Sequence, residues 1–251
     1  MLRIYQEADY EAMSRRAAHI IAAEVYRNPA CVLGLATGST PIGTYQNLVA
    51  WNKAGDLSFK EVTTVNLDEY KGLSGSHDQS YRYFMNTNLF DHIDIDKART
   101  HVPNGLAADA DGECAAYDRL VASLGYADLQ LLGLGHNGHI GFNEPSDHYT
   151  KETHVVDLTQ STIDANARFF ASADEVPRQA LTMGMGCIMA ARRVLLIANG
   201  EGKANALYNA FCGPISPDCP ASILQLHNDV VVVGDAAALS KLTAAGVRVC
   251  G

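Results

Sequence analysis

The stretch LLGLGHNGHIGFNEP, residues 131–145, decides the fold. It starts as a buried strand at Leu131, Leu132 and Leu134, then turns within a few residues to His136, Asn137, His139, Asn143 and Glu144. In an open α/β sheet the segment just past a strand's carboxyl end lines the ligand crevice, so imidazole and carboxylate at this point indicate a site built on strand ends. The run also spells GxGxxG at Gly133, Gly135 and Gly138, with Asp157 near the spacing of a dinucleotide fingerprint's ribose acid. That fingerprint needs a helix beginning at its third glycine. Gly141 and Pro145 bracket a polar segment ill suited to helix, which argues against a nicotinamide cofactor.

Working outward, three more apolar runs end in polar residues. Residues 31–36 read as a buried strand, and Thr37-Gly-Ser-Thr-Pro41 turns it into a helix with Thr40 as N-cap, Pro41 at the first position and Gly55 at the end. The backbone amides and hydroxyls of Gly38, Ser39 and Thr40 suit an anion at a helix start, and equally an ordinary capped turn. Residues 61–67 form the next strand and stop at Asp68-Glu69-Tyr70, which sets Asp68 at the crevice, or merely as the cap of a turn. Residues 194–198 form a strand followed by Asn199-Gly-Glu-Gly-Lys203, with Lys203 opening a helix.

The rest supplies the frame. Residues 2–5 and 230–233 read as strands; Tyr10, Met13, Ala17, Ile20, Ile21 and Val25 recur at helical spacing. Helices are expected over 78–90, 111–124 and 161–170, the last carrying Arg168, with a strand or turn at 180–185 and Asp235 capping the final helix. Alternating strands and helices predict an α/β, doubly wound, mostly parallel Rossmann-like sheet with helices on both faces, as one domain over residues 1–251.

Composition narrows the function classes. With 47% apolar residues and a net charge of −9 from 19 basic and 28 acidic side chains, the chain shows no electrostatic footprint for nucleic acid or anionic lipid, so a negatively charged ligand needs a local basic pocket. The six cysteines include no CxxC pair, and reduced, mostly buried thiols are expected. The first residues, MLRIYQEADYEAMSRR, carry acids where a signal peptide has an apolar run, and no segment approaches a membrane span; a soluble cytoplasmic protein is the expectation.

GLATGSTPIGTY at 34–45, VNLDEY at 65–70, GLGHNGHIGFNEP at 133–145, NARFF at 166–170 and EGKA at 201–204 together resemble the glucosamine-6-phosphate deaminase family over nearly the whole chain. The resemblance implies conversion of glucosamine 6-phosphate and water to fructose 6-phosphate and ammonia in amino-sugar catabolism, with no metal or redox cofactor and a small-molecule substrate as partner. It gives Asp68 the role of general base between C2 and C1 and His139 that of opening the pyranose ring, assisted by Glu144 and residue 137. That position is aspartate in some members; Asn137 can orient His139 by hydrogen bonding but supplies no charge. Ser39 and Thr40 with their amides, Arg168 and Lys203 match the phosphate contacts, and a lid is implied near 158–177.

Larger hexameric members are activated by an acetylated amino-sugar phosphate bound by basic residues after the NEP motif and by a longer carboxyl terminus. Residues 146–156 hold Lys151 as their only fixed cation and the chain ends soon after Val249, so a non-allosteric enzyme is expected, with its oligomeric state open. His136 and His148 match no role in the family pattern and are expected as surface or loop residues. Two other functions use the same features: a 6-phosphogluconolactonase, which resembles this fold and also takes a sugar phosphate, and a sugar-phosphate sensor without chemistry. A galactosamine 6-phosphate deaminase differs only around the C4 hydroxyl.

Overall fold

The computed structural model describes residues 1–160, 163, 170 and 175–250. Strand β1 (Leu2–Glu7) leads to helix α1 (Tyr10–Arg27). The Asp9 side chain accepts the amide of Ala12 at the helix start, while Met13, Ala17, Ile21 and Val25 bury one face. There follow β2 (Val32–Leu35), α2 (Ile42–Ala54), β3 (Thr63–Asn66), β4 (Asp68–Tyr70), α3 (Tyr81–Asn88), β5 (Thr100–His101) and α4 (Ala110–Ser123). The second half holds β6 (Leu129–Leu132), β7 (His154–Asp157), β8 (Gln179–Thr182), α5 (Met185–Ala190), β9 (Val194–Ala198), α6 (Ala204–Cys212), β10 (Val230–Asp235) and α7 (Ser240–Ala244).

Seven strands form one parallel sheet in the order β1-β10-β9-β6-β2-β3-β5. β2, β6 and β9 are buried along their whole length, as strands covered on both faces must be. From β2 the chain steps outward to β3 and β5, and from β6 it steps the other way to β9 and β10. With right-handed crossovers, α1 to α3 fall on one face and α4 to α6 on the other. The order reverses between the neighbours β2 and β6, and a crevice opens at their carboxyl ends.

A second sheet was not anticipated. Asp68–Tyr70 does not end a strand: it is itself β4, pairing antiparallel with β8, which pairs with β7. Leu67 joins the two sheets, donating its amide to Leu35 O at 3.2 Å and accepting the amide of Met183 at 2.7 Å. Tyr70, Phe142, Leu158, Ile163, Val176 and Ala180 form a small apolar cluster of their own against this sheet, apart from the main core.

Other boundaries moved. The expected helix over 78–90 begins at Tyr81, with Ser80 as its cap. Pro41, not Thr40, holds the N-cap position of α2, and no side chain caps it. Asp235 ends β10 and accepts the amides of Ala238 and Gly200 instead of capping α7. The expected helix over 161–170 lies almost wholly outside the described residues, Arg168 included. Cys31, Cys114 and Cys187 are buried, whereas Cys212 and Cys250 are exposed, so the thiols are less buried than composition suggested. No described helix is long and apolar enough to cross a membrane.

Candidate active site

The crevice is assembled from strand ends. After β2, the Tyr10 hydroxyl accepts the amide of Gly43 at 2.8 Å and lies 3.2 Å from the carbonyls of both Ser39 and Thr40, holding the 38–43 turn from behind. The hydroxyl of Thr40 donates to Asn199 Oδ1 at 3.0 Å, which explains why it does not cap α2. That bond spans from the end of β2 to the end of β9.

Asp68 stands where the chain leaves the large sheet for the small one. It is 6% exposed and is the register partner of Thr182. Gly141, at φ +59°, has no room for a side chain: a Cβ there would lie 2.9 Å from Thr182 Oγ1 and 3.7 Å from Asp68 Oδ2. The carboxylate therefore faces the 139–143 turn. Burial, and then the charge of Glu69, push its pKa up to about 8. Glu69 is buried as well and accepts the amides of Tyr70, Tyr81 and Arg82 at 2.8–2.9 Å, which ties β4 to the start of α3. Desolvation outweighs these bonds and raises its pKa too. Tyr81 stacks on Phe142 with ring centroids 5.9 Å apart and 9° between planes, packing the start of α3 against the 139–143 turn.

His139 follows β6 in a tight turn closed by Gly135 N to His139 O at 2.9 Å. The chain after Gly138 is turn, not helix, so the GxGxxG match is not a dinucleotide loop. The Nδ1 of His139 lies 3.2 Å from Glu144 Oε1, within ion-pair range, yet at an angle that makes no hydrogen bond, and this buried nitrogen has none elsewhere among the described residues. Asn137 braces both ends: its Nδ2 donates to Glu144 Oε2 at 2.5 Å and its Oδ1 accepts the amide of His139 at 3.2 Å. Asn143, buried, donates to the carbonyls of Ile140 and Met183, each at 2.9 Å, and pins the loop to the end of β8.

Lys203 occupies the N-cap position of α6 after a single 3-10 turn, and partial burial lowers its pKa. Asp68, His139 with Asn137 and Glu144, the 38–40 turn and Lys203 thus share one end of the sheet, and Arg168 lies outside the described residues. Among the described residues no three His, Cys, Asp or Glu side chains gather as a metal site. A cavity of about 300 Å³ adjoins the loop at Asn143 and Glu144 and extends to His148, His154 and Asp157. A larger one of about 470 Å³ lies by β1 and α1, away from these groups; the strand-end chemistry, not volume, marks the site.

Sequence reasoning missed the supports. Tyr10, Asn199 and Glu69 act through backbone or through one another, and nothing in their local pattern signals it. His136, expected as a plain loop residue, is exposed but places Nδ1 3.1 Å from the carbonyl of Gly202. His148 is exposed as expected, and its ring meets its neighbour Asp147.

A family profile described as glucosamine-6-phosphate isomerases/6-phosphogluconolactonase matches residues 6–233. A glucosamine-6-phosphate deaminase of Clostridium perfringens is 55% identical over 234 residues, 93% of this chain and 97% of its own. That of Lachnoclostridium phytofermentans is 56% identical over 232 residues, 92% and 98%. Among solved structures, a monomeric glucosamine-6-phosphate deaminase superposes with a TM-score of 0.93 at 48% identity, covering 95% of this chain and 99% of that one. The 6-phosphogluconolactonase of Thermotoga maritima shares the fold at a TM-score of 0.72 with 19% identity, over 94% and 99%.

Proposed function

Since the chain belongs to the glucosamine-6-phosphate isomerase/6-phosphogluconolactonase family, we propose that it is the deaminase, converting glucosamine 6-phosphate and water to fructose 6-phosphate and ammonia. The observation that carries the choice is a buried carboxyl, Asp68, facing the turn that presents His139. Lactone hydrolysis has no carbon-bound proton to move, whereas aldose–ketose isomerisation needs a base held against one.

In this reading His139 takes the proton of the anomeric hydroxyl and returns one to the ring oxygen, opening the pyranose. Glu144 sets its tautomer and Asn137 holds Glu144. Ionised Asp68 then removes the proton from C2 of the open chain, giving an enolamine, and delivers it to C1. The product carries an iminium at C2; water adds there and ammonia leaves, which balances the reaction. A cation at C2 of the substrate draws the pKa of Asp68 back down, so the base is ionised when it is needed. Gly38, Ser39 and Thr40 with Lys203, and Arg168 from a lid over about 158–177, hold the phosphate and fix the sugar against these groups. The unit is a single domain over 1–251 working in the cytoplasm, where phosphorylated sugars are retained, without a bound metal or redox cofactor.

The test is ammonia and fructose 6-phosphate release from glucosamine 6-phosphate with chelator present, for the native chain and Asp68→Asn. Turnover that collapses in the variant supports the reading. Native inactivity on this substrate with turnover of galactosamine 6-phosphate would move the specificity, and hydrolysis of 6-phosphogluconolactone instead would overturn it. Tight binding of the sugar phosphate without turnover would make the protein a sensor.

A further inference from the structure

The turn over residues 199–203 is held by side chains from three other strand ends. Thr40, after β2, donates to Asn199 Oδ1 at 3.0 Å; Asp235, at the end of β10, accepts the amide of Gly200 at 2.9 Å. The third comes from His136, after β6, whose Nδ1 lies 3.1 Å from the carbonyl oxygen of Gly202. A carbonyl carries no proton, so Nδ1 is the donor, and the bond holds with the imidazole neutral or charged. The ring is also seated by shape, since a Cβ on Gly202 would lie 3.1 Å from His136 Cε1.

The position of this bond gives it significance. Gly202 is one residue before Lys203 and His136 is three before His139, so one hydrogen bond joins the turn carrying the ammonium to the loop carrying the imidazole. In a hexose 6-phosphate the ring oxygen and the phosphorus are separated by only C5, C6 and one ester oxygen. The substrate is therefore a short ruler, and two elements that grip its ends must keep a fixed separation.

We propose that His136 is a positioning residue that locks the phosphate-binding turn to the ring-opening loop, an inference that rests on the deaminase reading. Its loss lets the 199–203 turn shift relative to His139 while Thr40 and Asp235 still keep it folded. Phosphate affinity suffers first, and ring opening suffers through misplacement of the sugar.

The experiment compares the native chain with His136→Ala and His136→Gln, whose amide can still donate to the carbonyl. The readouts are kcat, KM for glucosamine 6-phosphate, Kd for inorganic phosphate by calorimetry, and Tm. Expected is a rise of about five-fold in KM and in phosphate Kd for His136→Ala, the loss of one net hydrogen bond, with a smaller fall in kcat and recovery in His136→Gln. Unchanged KM and phosphate Kd overturn the proposal, as does a lowered Tm with the phosphate Kd intact. Because phosphate binding is read without turnover, a native protein inactive on glucosamine 6-phosphate sinks the deaminase reading separately, and the phosphate Kd ratio still decides for or against His136.

Discussion

A Cβ built on Gly135 would lie 2.4 Å from Nε2 of His139, so the imidazole occupies the space that any side chain at 135 needs. Glycine is thus the seat of the ring, not only part of a turn. Gly135→Ala pushes the ring off its position beside Glu144, and misplacement on that scale costs about ten- to a hundred-fold in kcat. The expected outcome is that loss with a modest fall in Tm, measured by steady-state kinetics and thermal melts. Full activity in a folded variant would show that the ring has another productive seat.

Asp68 makes a prediction with a definite sign. Its folded pKa, pushed up to about 8 by burial and then by Glu69, lies far above the value of about 3.9 for an unfolded aspartate. The folded state therefore binds the proton more tightly, and what this group contributes to stability below about pH 4 is lost progressively as pH rises toward 8. Relative to native, Asp68→Asn should gain Tm as pH rises from 5 to 8.5. The base must be ionised to act, so kcat/KM of the native enzyme should rise with pH to a limb near 8. A limb near 4, or a native-minus-variant Tm difference flat with pH, contradicts the burial argument.

The frame of this site was legible because each of its parts is local. The Leu-rich run before His136, the helical spacing from Met13 to Val25 and the glycine at 55 each read from a few neighbouring residues, and the structure places them as expected. Asp68-Glu69-Tyr70 was not legible as a strand, because its edge exists only through pairing with residues 180–182, more than a hundred positions away. The Thr40 hydroxyl reads as a cap until Asn199, 159 residues on, accepts its hydrogen bond. The bond of His136 to Gly202 spans 66 positions and leaves no periodicity to find. What sequence reading loses is the long-range polar contact, which depends on tertiary placement alone.

Asn137 donates to Glu144 where an aspartate would present a second carboxylate. In Asn137→Asp two carboxyls meet at hydrogen-bond distance, so they share a proton until the pH is high enough to ionise both. The pH at which kcat/KM reaches half its maximum should therefore move above the limb near 8 that Asp68 sets in the native enzyme, with activity retained at the plateau. A pH profile of the variant identical to native would mean that residue 137 does not report its charge to the ring-opening group.

The cavity beside Glu144 bears on regulation. It is lined by Ser146, His148, His154 and Asp157 among others, with no lysine or arginine among the described residues of its wall, and Glu144 and Asp157 add carboxylates. Lys151, the fixed cation of the 146–156 stretch, is exposed and lies 3.7 Å from Glu152. A phosphate monoester brought into this wall meets like charge and no strong cation among the described residues, which predicts poor net affinity at neutral pH. The substrate curve should be hyperbolic and unchanged by N-acetylglucosamine 6-phosphate at concentrations that do not compete at the active site. A sigmoidal curve that becomes hyperbolic with this compound would show an effector site built from other residues, and His154→Arg would then be expected to leave its response unaltered.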